Sequence, residues 1–192
     1  YTSSSSYITL QFWFRASTNQ TFYAYFYAFD GTPQVYTFSF TASGNNTWTK
    51  VIKTIPGNSN LTFDNNNGPG LQIKFLPYYG TDYSNNKTLN QWAAYVSNNQ
   101  LPDMASTWLT TGTPTFDLTG LQIEVGSQAT AFEHLSVDEE LRLCKRYYQT
   151  IGSGLFNIRG SDSVAYSNAS LQSTHILPEP MRATPTGSNY DD

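Results

Sequence analysis

Alternation of large apolar residues with polar or tyrosine residues constrains the fold more than any other feature of this sequence. In three successive runs, apolar or aromatic side chains recur at every second position, which places them on one face of a strand. The positions on these faces are Ile8, Leu10, Phe12 and Phe14, then Phe22, Ala24, Phe26 and Ala28, then Tyr36, Phe38 and Phe40. A period of two does not fit a helix, so the sequence predicts an antiparallel sheet with one buried face.

Further short runs extend the β pattern beyond this point. The segment from Trp48 to Ile55 is a fourth predicted strand, and 71–75 is a fifth, with Lys74 on its outward face. Residues 108–111 are another predicted strand, before a last one that starts at Phe116. About seven or eight such runs, separated by turns and by no helical pattern, predict an all-β chain with an antiparallel jelly-roll-like β-sandwich.

The last predicted strand contains a shift of one residue. Phe116 and Leu118 alternate with polar neighbours, and after Thr119 and Gly120 the apolar positions resume at Leu121. A shift of one residue would turn every later side chain to the opposite face. We therefore predict a β-bulge at the glycine, which keeps the strand buried on the same side throughout.

One helix is predicted after the sandwich. Ser136 is the expected N-cap, and Glu139 stands three residues later, as in a capping box. An apolar stripe over about 137–149 includes Cys144, which we interpret as a small core residue; a single cysteine excludes an intrachain disulfide. Residues 152–192 form a predicted small β-rich tail, too short for its own core. It must pack on the sandwich, pair with a neighbouring subunit or continue beyond Asp192, and we favour the last two together.

The predicted organisation is thus a sandwich over 1–135, a connecting helix over 136–151 and a tail over 152–192. Only 12% of the residues are charged, 16% are aromatic, and the net charge is −4. An acidic chain without a basic face argues against a nucleic-acid partner. No apolar run approaches the length of a membrane-spanning helix, so no membrane partner is expected either.

The stretch FDLTGLQIEVGSQATAFEHLSVDEELRLCKRYY, residues 116–148, resembles a module of structural proteins in tailed phages and large algal viruses. That module runs similarly to F-x-[IL]-T-G-[VL]-Q-[LI]-E-V-G-x-x-A-T-x-F-E-H-x-S-x-x-E-E-L-x-L-C-x-R-Y-Y. Ala131 and Lys145 stand where many such proteins have Pro and Gln. Residues 180–186, PMRATPT, resemble the segment that usually follows.

The resemblance implies a viral structural protein of the virion, in a capsid decoration, a tail fibre or a spike, with other virion proteins as partners. Because such parts are built as closed rings and the tail lacks a core, we expect a homo-oligomer, and specifically a homo-trimer. The alternative is a carbohydrate-binding module of a secreted polysaccharide-degrading enzyme. A third hypothesis is a glycosidase.

No enzymatic motif supports that third hypothesis. Glu124 and Glu133 would be the carboxylate pair, yet their spacing does not bring them together. His134 and His175 lie far apart in sequence, and a structural hydrogen bond is the natural role of His134. We therefore expect no enzyme and no cofactor. Asp64, in the Asp-Asn-Asn-Asn-Gly run, is the one candidate calcium ligand, and an ordinary solvated loop is the preferred interpretation.

The row of tyrosines opposite the Phe/Ala row is the candidate binding site. Tyrosine offers a flat apolar face to the C–H surface of a sugar and a hydroxyl to its polar edge. The predicted platform for a host-surface glycan is formed by Tyr23, Tyr25 and Tyr27, walled by Tyr83 and Trp92. Two alternatives remain open: the row packs against the second sheet, or it is buried against another subunit.

Overall fold

The computed structural model describes residues 1–66, 68–149 and 179–182. The chain divides into two units, Tyr1–Phe132 and Glu133–Asp192. The strands are β1 (Tyr7–Ala16), β2 (Thr21–Ala28), β3 (Gln34–Thr41), β4 (Thr49–Pro56), β5 (Leu71–Leu76), β6 (Trp92–Ala94) and β7 (Phe116–Val125). The helices are α1 (Thr107–Thr110) and α2 (Val137–Lys145).

The first unit is an antiparallel β-sandwich, as the sequence predicted. A three-stranded sheet has the order β4–β1–β7, and a four-stranded sheet has the order β5–β2–β3–β6. All strand pairs within the two sheets are antiparallel. Strands β4 and β7 are therefore the edges of the smaller sheet, and β5 and β6 are the edges of the larger one.

The core lies between the inner faces of the two sheets. The Phe/Ala row of β2 is buried there, together with the alternating apolar residues of β1 and β3. Rings interlock across the gap in edge-to-face geometry: the Phe12 and Phe40 centroids are 5.3 Å apart, and those of Phe14 and Phe40 are 4.8 Å apart. The alternative in which the tyrosine row faces the second sheet is therefore wrong.

The bulge predicted in the last strand is present. The register between β1 and β7 shifts between Gln11 and Trp13, and Gly120 has a φ of 59°. A Cβ at this glycine would lie 3.2 Å from Cδ1 of Trp13, so both the conformation and the space favour glycine. The extra residue keeps Leu118 and Ile123 on the same face of the sheet, where they pair with Phe14 and Leu10. The predicted burial of this face along the whole strand is wrong, because Leu118 is 36% exposed and Ile123 is 47% exposed at the edge of the sheet.

The strand predicted at 108–111 is wrong, because these residues belong to the short helix α1 and its C-cap. The hydroxyls of Thr110 and Thr111 donate to backbone carbonyls three or four residues earlier, which stabilises a helical turn. The Trp108 amide donates to Gln20 Oε1 at 2.9 Å, and its ring packs edge-to-face on Phe22. These tertiary contacts override the β propensity of the run.

The predicted helix is present as α2, although it ends at Lys145 rather than near 149. Its cap is confirmed, since Ser136 Oγ accepts from the Glu139 amide at 3.2 Å. The interpretation of Cys144 as a core residue is wrong: α2 buries no side chain, and Cys144 is exposed. Period alone does not show that a neighbouring element covers a stripe.

Within the second unit, residues 179–182 contact the end of α2 and the turn after it. Gln149 Nε2 donates to the Glu179 carbonyl at 2.8 Å, and the Arg182 amide donates to the Arg146 carbonyl at 2.9 Å. The remaining residues of the predicted β-rich tail, 152–178 and 183–192, lie outside the described residues.

Candidate functional site

The tyrosine row of β2 lies on the outer face of the four-stranded sheet. A long segment, residues 77–101, crosses this face and contributes β6 to the edge of the sheet on its way. Tyr25 is fully buried beneath the segment, while Tyr23 and Tyr27 are half-buried. The row is therefore not an open platform: its middle tyrosine is structural, and its flanking tyrosines reach the surface.

Gln100 attaches the crossing segment to the sheet. Its Oε1 accepts from the Tyr25 hydroxyl at 2.8 Å, and its carbonyl accepts from the Thr37 hydroxyl at 2.7 Å. Its Nε2 donates to the Tyr95 hydroxyl at 3.0 Å and to the Ser97 carbonyl at 2.8 Å. Burial of the phenol and the nearby tyrosines raise the pKa of Tyr25 well above its usual range, so this hydroxyl stays a neutral donor.

Backbone hydrogen bonds hold the same segment at further points. The Asn90 amide donates to the Thr37 carbonyl at 2.8 Å, and the Tyr95 amide donates to the Pro33 carbonyl at 2.9 Å. Near its end, the Gln100 amide donates to the Tyr83 carbonyl at 2.9 Å. The loop, long by the standards of a compact domain, is thus ordered by the sheet that it covers.

Aromatic rings from β2 and from the crossing segment meet at this surface. Tyr79 and Tyr83 stack with centroids 4.9 Å apart and planes at 23°. Tyr27 meets Tyr95 edge-to-face at 4.9 Å. We name the half-buried and exposed members of this group the tyrosine surface: Tyr23, Tyr27, Tyr79, Tyr83 and Tyr95.

The tyrosine surface includes three of the five predicted site residues. Tyr23, Tyr27 and Tyr83 belong to it, and Tyr25 lies beneath it. Tyr79, Tyr95 and the organising Gln100 were not among the predicted site residues. A signal for the two tyrosines was present, because residues 77–96 carry an unusual density of aromatic residues. Gln100 offered no such signal, since one glutamine in a polar loop has no pattern.

Trp92 lies on the other face of the sheet. It pairs with Tyr36 across β3 and β6, and the two ring centroids are 5.5 Å apart on the core side. Its Nε1 donates to the Pro56 carbonyl at 2.7 Å. The indole lines an apolar cavity of about 280 Å³ whose walls include Leu61 and Phe63. The structure therefore does not bring Trp92 together with the tyrosine row.

Both oxygens of the Asp64 carboxylate accept hydrogen bonds from within the same loop. Asp64 Oδ2 accepts from Asn66 Nδ2 at 2.6 Å, and Oδ1 accepts from the Asn66 amide at 3.3 Å. The Asp64 amide in turn donates to Asp30 Oδ2 at 3.1 Å. Among the described residues no group of three or more His, Cys, Asp or Glu side chains is arranged to hold a metal ion. The geometry is that of a hydrogen-bonded turn.

Glu124 is also committed to local structure. Its carboxylate accepts from both the amide and the hydroxyl of Thr130, and these hydrogen bonds hold the pKa of Glu124 below its usual value. An ionised carboxylate of this kind is the opposite of a general acid, which needs a raised pKa. Glu133, the other member of the candidate glycosidase pair, belongs to the second unit.

In the described part of the chain, no helix has the length and apolar character that crossing a bilayer requires. No family model matches the sequence, and neither a curated protein nor a solved structure is significantly similar to it.

Proposed function

We propose that this chain is a non-enzymatic structural component of a virus particle that contacts host-surface glycans through the tyrosine surface. The observation that carries the binding role is the group of tyrosine rings held at the surface by a buried polar anchor. The stacked pair Tyr79–Tyr83 is the most accessible part of it, since 46% of Tyr83 is exposed.

Tyrosine rings in this arrangement suit saccharides. The ring face takes up the C–H side of a pyranose, and the phenol hydroxyl offers a hydrogen bond to its polar edge. Gln100 orients Tyr95 from below, so part of the surface is preorganised and loses little entropy on binding. Individual contacts of this kind are weak, and several copies in one particle raise them to useful avidity.

The viral setting rests on the sequence resemblance of residues 116–148. A capsid decoration, a tail fibre and a spike all present such a module on the outside of a virion, beside other virion proteins. We also propose a homo-trimer. Its support in the first unit is the edge strand β7. Leu121, Ile123 and Val125 lie on the same face of the sheet as the core residues of β1, but they are exposed at the edge.

Substitution of the accessible pair tests the binding role. We expect Tyr79→Ala and Tyr83→Ala each to weaken adsorption to host cells about tenfold, or ~1.4 kcal/mol, because each removes half of the stacked platform. Trp48→Ala is the matched control: Trp48 is 41% exposed, close to the 46% of Tyr83, but it precedes β4 of the other sheet. Adsorption of purified protein to cells, measured by titration, is the readout.

Three results would contradict parts of the proposal. Normal adsorption by both tyrosine variants would remove the glycan role, and failure of the same variants to assemble would identify the surface as a subunit interface. Hydrolysis of a glycan panel by the purified chain would overturn the non-enzymatic assignment.

The carbohydrate-binding module of a secreted polysaccharide-degrading enzyme remains the second candidate, because a tyrosine surface on a β-sandwich suits it equally. The full-length gene separates the two: a flanking catalytic domain supports the enzyme module, and flanking capsid, collar or fibre segments support the virion protein. Mass spectrometry of purified virus particles distinguishes the two candidates directly, because only a virion protein would be detected in them.

A further inference from the structure

Lys74 places a cation beside the tyrosine surface. Lys74 lies on the outer face of β5 and pairs across the strands with Tyr25. Its Nζ is 5.5 Å from the ring centroid of Tyr25 and 5.8 Å from that of Tyr27. The negative faces of the two rings attract the ammonium group, which places the charge next to the half-buried Tyr27 while the side chain stays exposed.

Two other basic residues of the first unit have an acidic side chain nearby. Arg15 Nε lies 2.7 Å from Asp117 Oδ2. Lys50 is close enough to Glu124 to contribute to the lowering of that carboxyl's pKa. Both pairs involve the three-stranded sheet, where Arg15 and Lys50 belong to β1 and β4.

The remaining two lysines of residues 1–132 are withdrawn from solvent. Burial lowers the pKa of Lys53 and that of Lys87, and Lys87 is only 9% exposed. Lys74 is exposed, and among the described residues no carboxylate lies within 4.0 Å of its ammonium group. Lys50 is also exposed and without a carboxylate at that distance, but it lies on β4 of the other sheet. Of these two exposed lysines in the described part of the first unit, Lys74 is the one that lies at the tyrosine surface.

We infer that the tyrosine surface selects saccharides that carry an anionic group, and that Lys74 determines this selectivity. The inference deepens the proposed glycan-binding role and rests on it. The C–H face of the sugar lies on Tyr27 and Tyr95, and its anionic group accepts charge-assisted hydrogen bonds from the Lys74 ammonium. Carboxylate sugars and sulfated sugars share this chemistry.

Paired probes, one acidic and one neutral, test the inference on the full chain. The pairs are oligogalacturonate and its methyl ester, 3′-sialyllactose and its methyl ester, and dextran sulfate and dextran. We expect an acidic member to bind about tenfold more tightly than its neutral partner, which is the typical strength of a charge-assisted hydrogen bond. The pair that shows the preference distinguishes a carboxylate from a sulfate ligand.

Lys74→Gln should abolish the preference, Lys74→Arg should retain most of it, and added salt should reduce it in the wild type. Lys50→Gln is the matched control, an exposed lysine on the other sheet. Equal binding of charged and neutral partners, or a preference that survives Lys74→Gln, overturns the selectivity while the glycan-binding role stands. If no probe binds at all, the glycan-binding role and the selectivity fall together.

Discussion

At the scale of single residues, the candidate site depends on Gln100. Its side-chain amide is buried and joins Tyr25 of the sheet to Tyr95 of the crossing segment. Buried polar groups of this kind are costly unless every member has a partner, so the network holds one arrangement of the rings above it. The predicted platform residue Tyr25 is therefore part of the support of the surface.

Tyr25→Phe tests this support role. Loss of the hydroxyl leaves the buried Gln100 Oε1 without its 2.8 Å donor, and we expect the free energy of unfolding to fall by about 1–3 kcal/mol. Urea denaturation measures it. Tyr23→Phe is the control on the same strand face, because no described residue hydrogen-bonds to that hydroxyl, and its effect should stay within about 0.5 kcal/mol. Equal stability of the two variants would contradict the stabilising role of the hydrogen bond between Tyr25 and Gln100.

At the scale of elements, the edge strand β4 carries a charge toward the core. Lys53 pairs with the buried Leu10 of β1, which places it on the inner face between Val51 and Ile55. Its Nζ lies 5.7 Å from the ring centroid of Phe38, and burial lowers its pKa. An inward-pointing charge on an edge strand opposes pairing with another sheet edge, at some cost in stability.

Lys53→Met should separate these two effects. We expect the variant to be more stable by about 1 kcal/mol, because an apolar side chain replaces a partly buried charge. We also expect it to self-associate at high concentration, since the edge loses its protection. Urea denaturation and light scattering are the measurements. Lys50→Met, an outward position on the same strand, is the control and should change neither stability nor self-association. A Lys53→Met variant that is destabilised and stays monomeric would contradict the proposed protective role of Lys53.

At the scale of the whole molecule, the proposed homo-trimer gives a direct test in solution. We expect the chain to sediment as a trimer, and Ile123→Lys to shift it toward monomer, because the charge enters an exposed apolar row on β7. Tyr83→Ala should leave the trimer unchanged if the tyrosine surface faces the host. A wild-type chain that sediments as a monomer at all concentrations would remove the trimer from the proposal.

Local periodicity alone determined much of the fold. The period of two placed Phe22, Phe26 and the other inner-face residues correctly, because a strand with one buried face admits one register. The one-residue slip at Gly120 predicted the bulge, and Ser136 predicted the start of α2, since both signals act within a few residues. The composition and the strand count then sufficed for a β-sandwich.

Only the tertiary structure decided which residues form the candidate site. Trp92 and Tyr83 are nine positions apart in one aromatic segment, yet the segment enters the sheet edge at Trp92 and turns that side chain to the core. Tyr25 shares its period with Tyr27 but is buried, because the loop that carries Gln100, 75 residues later in the chain, crosses above it. Alternation defines the two faces of a strand, whereas long-range packing determines what covers each face.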